Sequence, residues 1–194
     1  MTNSSELERL QNSIFTAFGS IPFPRFGLKA ARALDDWITD EDVLTKITLE
    51  TDIHGEWWEI PAIELETYAY DAMCYLEPDG MLFYIPAYLN NALNTLKYSA
   101  LMTLIFWMTP WKRENSEDEE HFQEMYSYFC SKFSKFTNTQ KQVCKSVLSY
   151  FVENSNAMKV DEFFTNQALQ EIQAILRHDY WKVSVVVDMK TLQA

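Results

Sequence analysis

The sequence predicts a mainly α-helical chain: a single-domain helical bundle with short β elements possible at one or two places. Three observations predict it. Apolar residues recur at the three- and four-residue spacing of amphipathic helices along most of the chain. Only four glycines and six prolines punctuate 194 residues, which excludes glycine-rich phosphate loops, collagen-like repeats and long flexible linkers. Apolar residues make up 47% and aromatics 15%, a composition that folds, and a chain of this size buries roughly 70% of its unfolded surface.

The elements follow in order. Ser5 and Glu8 have the form of a capping box, and Leu7, Leu10, Ile14, Phe15 and Phe18 make one stripe, so residues 5–18 read as a helix ended at Gly19. Residues 21–27, Ile-Pro-Phe-Pro-Arg-Phe-Gly, are a proline-punctuated connector with buried edges. Asp40 caps a short helix containing Val43, Leu44 and Ile47.

The stretch from Glu56 to Pro110 organises the rest, since it holds four of the six prolines and the longest apolar run. Pro61 suits a first helical position, and Leu65, Tyr68, Ala69, Ala72, Met73 and Leu76 extend a helix to Tyr75. Glu77-Pro78-Asp79-Gly80 has turn chemistry, and Met81 to Ile85 is a short run of strand formers. Pro86 then opens a second helix carrying Tyr88, Leu89, Ala92, Leu93 and Leu96. Residues 99–109 are apolar nearly all round, which suits a buried segment and falls short of the roughly 20 residues a membrane span needs.

Residues 112–121, opening with KRENSEDEE, read as an acidic loop between an organising core at 1–111 and C-terminal helices at 122–194 packed on the same domain. Phe122, Met125, Tyr126, Phe129 and Phe133 mark one helix there. Thr137 and Gln140 form a capping box for a second, with Val143, Val147, Leu148, Phe151 and Val152 inward. Phe163, Phe164, Ala168, Leu169, Ile172, Ile175 and Leu176 mark a third. Trp181 to Val187 has the β-branched character of a strand that needs a partner.

The net charge of −12, from 28 acidic and 16 basic residues, repels nucleic acid and anionic membrane and steers a basic partner. Cys74, Cys130 and Cys144 are odd in number and lack metal-like spacing, so they read as reduced thiols of a cytoplasmic protein. Residues 1–20 show no basic start followed by an apolar run, as a signal peptide would.

Two acidic and aromatic clusters are candidate contact surfaces. Asp35, Asp36, Asp40, Glu41 and Asp42 surround Trp37, and Asp52, His54, Glu56 and Glu59 surround Trp57 and Trp58. Of the two adjacent tryptophans, one is expected in the core and one at the surface. Asp52, His54 and Glu56 alternate as metal ligands on a strand would, and Asp118, His121 and Glu124 share a helix face, but a bundle metal site needs a second such helix and none is present. The sequence therefore implies no metal and no cofactor. No nucleophile elbow, phosphate loop or HExxH occurs, and Cys74 sits in an apolar helical context that leaves it inert, so no catalytic residue is assigned.

Trp58-Glu59-Ile60-Pro61, Tyr70-Asp71-Ala72, the run from Tyr75 to Gly80, the run from Phe83 to Leu89 and Phe106 to Pro110 occur in an order that resembles a family of small bacterial proteins of no assigned activity. The resemblance covers about the middle third of the chain and leaves out residues 114–120 and those after Val160. Proteins of that kind look like neighbours of secreted-toxin systems, which implies an immunity role. The leading expectation is an immunity protein, not an enzyme, that occludes the active site of a basic toxin. Acidic residues would steer the encounter and aromatic anchors would hold it, with Asp40, Glu41, Asp52, Glu56 and Trp57 in the contact surface. An acidic nucleic-acid mimic that inhibits a DNA-binding enzyme, and a small enzyme of unstated reaction, are the other two classes considered.

Overall fold

The computed structural model of the chain describes residues 4–155 and 162–182. Among these residues the architecture is nine α-helices and no strand. In chain order they are α1 (Ser4–Phe18), α2 (Leu28–Asp35), α3 (Glu41–Thr51), α4 (Ala62–Thr67), α5 (Pro78–Thr95), α6 (Tyr98–Met108), α7 (Glu119–Lys132), α8 (Asn138–Glu153) and α9 (Glu162–Arg177). None of them is long and apolar enough to cross a membrane.

Helix α5 is the centre. It buries twelve of its eighteen residues and touches α1, α4, α6, α7 and α8. Two expectations fail here together. Residues 77–80 are not a turn and Met81–Ile85 is not a strand, because Pro78 occupies the first helical turn, where its missing N–H has no intrahelical partner in any case. Gly80 is needed for the close start: a Cβ there would lie 2.9 Å from Leu76 Cδ2. Pro86 does not open a new helix either but sits inside α5. An interior proline costs about 3 kcal/mol in an isolated helix, and here burial on every side of α5 offsets it.

The helix expected from Pro61 to Tyr75 is also shorter than its pattern. Helix α4 stops at Thr67, and after a turn the chain makes a 3₁₀ turn at Met73–Tyr75. The inward residues are nonetheless those of the stripe: Leu65, Ala69, Ala72, Met73 and Leu76 are all buried. Ser5 lies inside α1, which starts at Ser4, so it is not the cap that the Ser5–Glu8 pattern implies, but two other caps form as expected. Asp40 caps α3 through the N–H groups of Asp42 and Val43, and Thr137 and Gln140 form a reciprocal capping box on α8. Within the acidic segment Arg113–Asn115 is a 3₁₀ turn, and Asp118 caps α7 by accepting from the His121 N–H at 2.9 Å.

One apolar cluster runs from Leu10 to Trp181 and joins helices from both ends of the chain, with α1 against α8 and α6 against α9. A second, small cluster of Ala30, Ala33 and Leu44 holds α2 to α3 as a satellite. Trp181 belongs to a 3₁₀ turn (Asp179–Trp181) and is fully buried, while residues 183–187 of the expected terminal strand lie outside the described residues. The Trp181 indole N–H donates to the Met108 carbonyl at 3.0 Å, closing the C-terminal end of α6. Replacing Trp181 by Phe keeps an aromatic ring but leaves that carbonyl unpaired in the core. The variant is expected to lose about 1–3 kcal/mol of stability by urea unfolding; an unchanged midpoint would show that the bond carries no weight.

Candidate functional site

The corner between α2 and α3 breaks three local rules at once. Helix α2 ends in a Schellman closure, with the Ile38 N–H on the Ala33 carbonyl and the Trp37 N–H on the Leu34 carbonyl, both at 3.0 Å. The residue past the cap takes a left-handed conformation, and glycine is usual there; here it is Trp37, at φ +64. Asp35 and Asp36 put negative charge at the negative end of the helix dipole. Trp37 itself is 89% exposed.

Leu96 is the other non-glycine residue at positive φ among the described residues, and it supplies the contrast. Its side chain packs against the main core, so burial accounts for its strain. Nothing comparable accounts for Trp37.

Residues 36 to 43 are all exposed, with Ile38 and Val43 adding apolar surface beside Trp37. The surrounding charge is negative. Arg32 is shared among Asp35, Asp36 and Asp71, and Arg25 pairs with Glu41 while lying 4.8 Å above the Phe26 ring. With Asp40 and Asp42 added, six carboxylates face two guanidiniums. The Tyr75 hydroxyl donates to Asp35 at 3.1 Å, which raises the phenol above its ordinary pKa and anchors the corner to the main body.

Of the five residues expected in the contact surface, the fold brings Asp40 and Glu41 to this corner and takes two others out of contact with solvent. Trp57 is fully buried: its indole N–H donates to the Gly19 carbonyl at 2.8 Å and its ring packs 4.9 Å from Phe15. Trp58 is the exposed member of that pair, as the alternation expects. Asp52 is buried against the start of α2, where it accepts from the Lys29 N–H at 2.9 Å. A Cβ at Gly27 would fall 2.3–2.6 Å from the Asp52 carboxyl atoms, so the glycine is what lets the carboxylate cover that helix end. Glu56 is half-buried, accepts from the Ser20 hydroxyl at 2.8 Å and forms a capping box with Glu59. Trp37 is missing from the five, although its signal is present: a tryptophan amid acids immediately after a short helix.

The two metal-like patterns resolve into structural roles. Asp52, His54 and Glu56 face separate partners, since His54 bonds the Thr48 carbonyl at 2.8 Å and packs at a tilt against Phe23. Asp118 serves as the cap of α7. Among the described residues no group of three or more His, Cys, Asp or Glu side chains is placed to hold a metal ion.

A family model, DUF6714, described as a family of unknown function, matches residues 6–184. Among curated proteins and solved structures, none matches the chain.

Burial is the largest influence on Asp52 and raises its pKa above 3.8, outweighing the N–H groups of Lys29 and Ala30 and the Lys29 charge. A raised carboxylic pKa favours the protonated fold, so this contribution is fully present below the unfolded value and is lost as pH rises through the folded value. Asp52→Asn keeps an oxygen for the Lys29 N–H and removes the titration. Its stability relative to the parent, followed by urea unfolding, is expected to improve as pH rises above about 4 and to level off once Asp52 is ionised in the folded state. A constant difference across that range would show that Asp52 does not titrate in this way.

Proposed function

The chain belongs to that family of unknown function, and on this premise we propose that it is a protein-binding protein that captures a basic partner at the α2–α3 corner, as an immunity protein captures and occludes its toxin. The observation that carries the reading is Trp37, a large apolar side chain held fully outward at a backbone position that favours glycine. Strain and exposed apolar area both disfavour that residue on stability grounds, and an interface anchor gives it a use. The carboxylates around it supply the long-range attraction that accelerates encounter with a cationic surface, and Trp37, Ile38 and Val43 supply the desolvated centre. Within this reading the contact residues are Asp36, Trp37, Asp40, Glu41 and Asp42. Asp52 supports the start of α2, and Glu56 and Trp57 hold the end of α1.

The test uses the whole chain and the product of the adjacent gene, expressed together and apart. The expected result is a neighbour that is toxic alone, is neutralised by this chain and forms a complex that weakens as salt rises. Trp37→Gly is the decisive variant. It relieves the left-handed strain and is expected to stabilise the free protein by about 1 kcal/mol while weakening the complex by at least about thirtyfold. Tight binding by the glycine variant would overturn Trp37 as the anchor. A harmless neighbour that does not bind would overturn the immunity reading.

A further inference from the structure

A cleft of about 500 Å³, whose lining includes no residue of the Trp37 corner, lies between the start of α5, one face of α6, α7 and α9. Its walls are apolar and compliant: Met81, Met102 and Met125 line it beside Ile105 and Phe129, and the exposed Phe106 stands among its lining residues. That size is within the range of small-molecule sites, which pair apolar walls with a few placed polar groups.

The polar group here is Lys132, on the last turn of α7 and only 9% exposed. Its ammonium donates to the carbonyls of Cys74, at 2.6 Å, and Leu76, and lies 4.8 Å from the Tyr128 ring centre. An ammonium carries three N–H donors. Two of them go to those carbonyls and the ammonium also faces the Tyr128 ring, while no carboxylate of the described residues lies within ion-pair distance; Cys74 and Glu77 act on it only through the longer-range field. Burial pushes its pKa down to about 8, so it stays charged at neutral pH. Two carbonyls and an aromatic face hold this ammonium, but no carboxylate among the described residues balances its charge, which leaves it able to attract an anion. Lys112 and Glu171, which also line the cleft, satisfy each other at 3.3 Å, so Lys132 is the cation left to meet an incoming anion.

We propose that this cleft binds a medium-chain carboxylate, with the head group on the Lys132 ammonium and the alkyl chain along the methionine-lined walls. The class follows from complementarity: one buried positive charge at one place, and flexible apolar surface that suits a linear chain. The site is separate from the Trp37 corner, and its test does not depend on the protein-capture reading.

The test is calorimetric titration of the full chain with decanoate and with decanol, both below their aggregation limits, alongside Lys132→Met and Met102→Trp variants checked for folding by circular dichroism. The unaltered chain is expected to bind decanoate about tenfold more tightly than decanol, the size of one charge-assisted hydrogen bond. Lys132→Met should erase that preference while leaving decanol binding in place, and Met102→Trp should weaken both ligands by about tenfold or more by filling the cleft. Where Lys132→Met does not fold, the comparison of acid with alcohol and the Met102→Trp variant decide the matter. Equal affinity for acid and alcohol, no decanoate binding, or binding that Met102→Trp leaves unchanged would each overturn the proposal.

Discussion

Helix ends inside a crowded core leave carbonyl groups that water cannot reach, and this fold meets that constraint with aromatic side chains. The Trp57 indole donates to Gly19 at the end of α1, Trp181 to Met108 at the end of α6, and Trp107 to Ala69 just past α4. The Tyr180 and Tyr88 hydroxyls do the same for Phe133 and Leu65. The partners are far apart in sequence, so each bond fixes one helix end against a distant segment while the ring fills core volume. Trp and Tyr suit this device because each offers both a large apolar body and a polar tip. Lys132 and Tyr128 extend the same solution to Cys74 and Leu76, where the short α4 and the following 3₁₀ turn leave carbonyls exposed to the core.

Helix α5 is the element whose local chemistry was least informative. Its first residues carry the proline, aspartate and glycine of a turn, its next five are strand formers, and a second proline lies mid-helix. A helix buried on nearly all sides has no polar stripe, so the periodic signal that separates helix from strand is erased where tertiary burial is strongest. The amphipathic helices behaved oppositely. Helices α1, α7, α8 and α9 each present one face to the core, and their spacing was legible from sequence, as was the Thr137–Gln140 cap of α8. Between these extremes, the residues of the 61–76 stripe are buried as their spacing implies even though the helix breaks at Thr67, because burial depends on which side faces α5 and tolerates a change of local geometry.

The candidate corner was legible in composition and illegible in conformation. Acids flanking a tryptophan are visible in the sequence, and so is the cap at Asp40. That Trp37 falls one residue past the cap of α2, in a left-handed conformation, depends on where α2 stops, which neither a glycine nor a proline announces. Asp52 and Trp57 failed as surface residues for a related reason. Each sits in a short acidic or aromatic cluster that looks solvent-facing, but one covers the start of a helix twenty-three residues earlier and the other closes a helix end thirty-eight residues earlier. Such long-range partners leave no local periodicity to read.

The arrangement also explains how a strained, exposed corner persists. Helices α2 and α3 share a small apolar cluster at Ala30, Ala33 and Leu44, while Leu28 and Ala31 of α2 pack in the main core, so the helix that leads into Trp37 is held on both sides. Side-chain bonds outside that cluster then fix the pair in place: Asp52 with the Lys29 N–H, Lys29 with Glu64, Arg32 with Asp71, and Tyr75 with Asp35. Two of these reach α2 from α4 and the segment just past it, and a third comes from the 3₁₀ turn at Met73–Tyr75. Local strain survives where surrounding contacts over-determine the backbone. The satellite is therefore anchored at its base and unfavourable at its tip, a distribution of order that holds the Trp37 side chain outward.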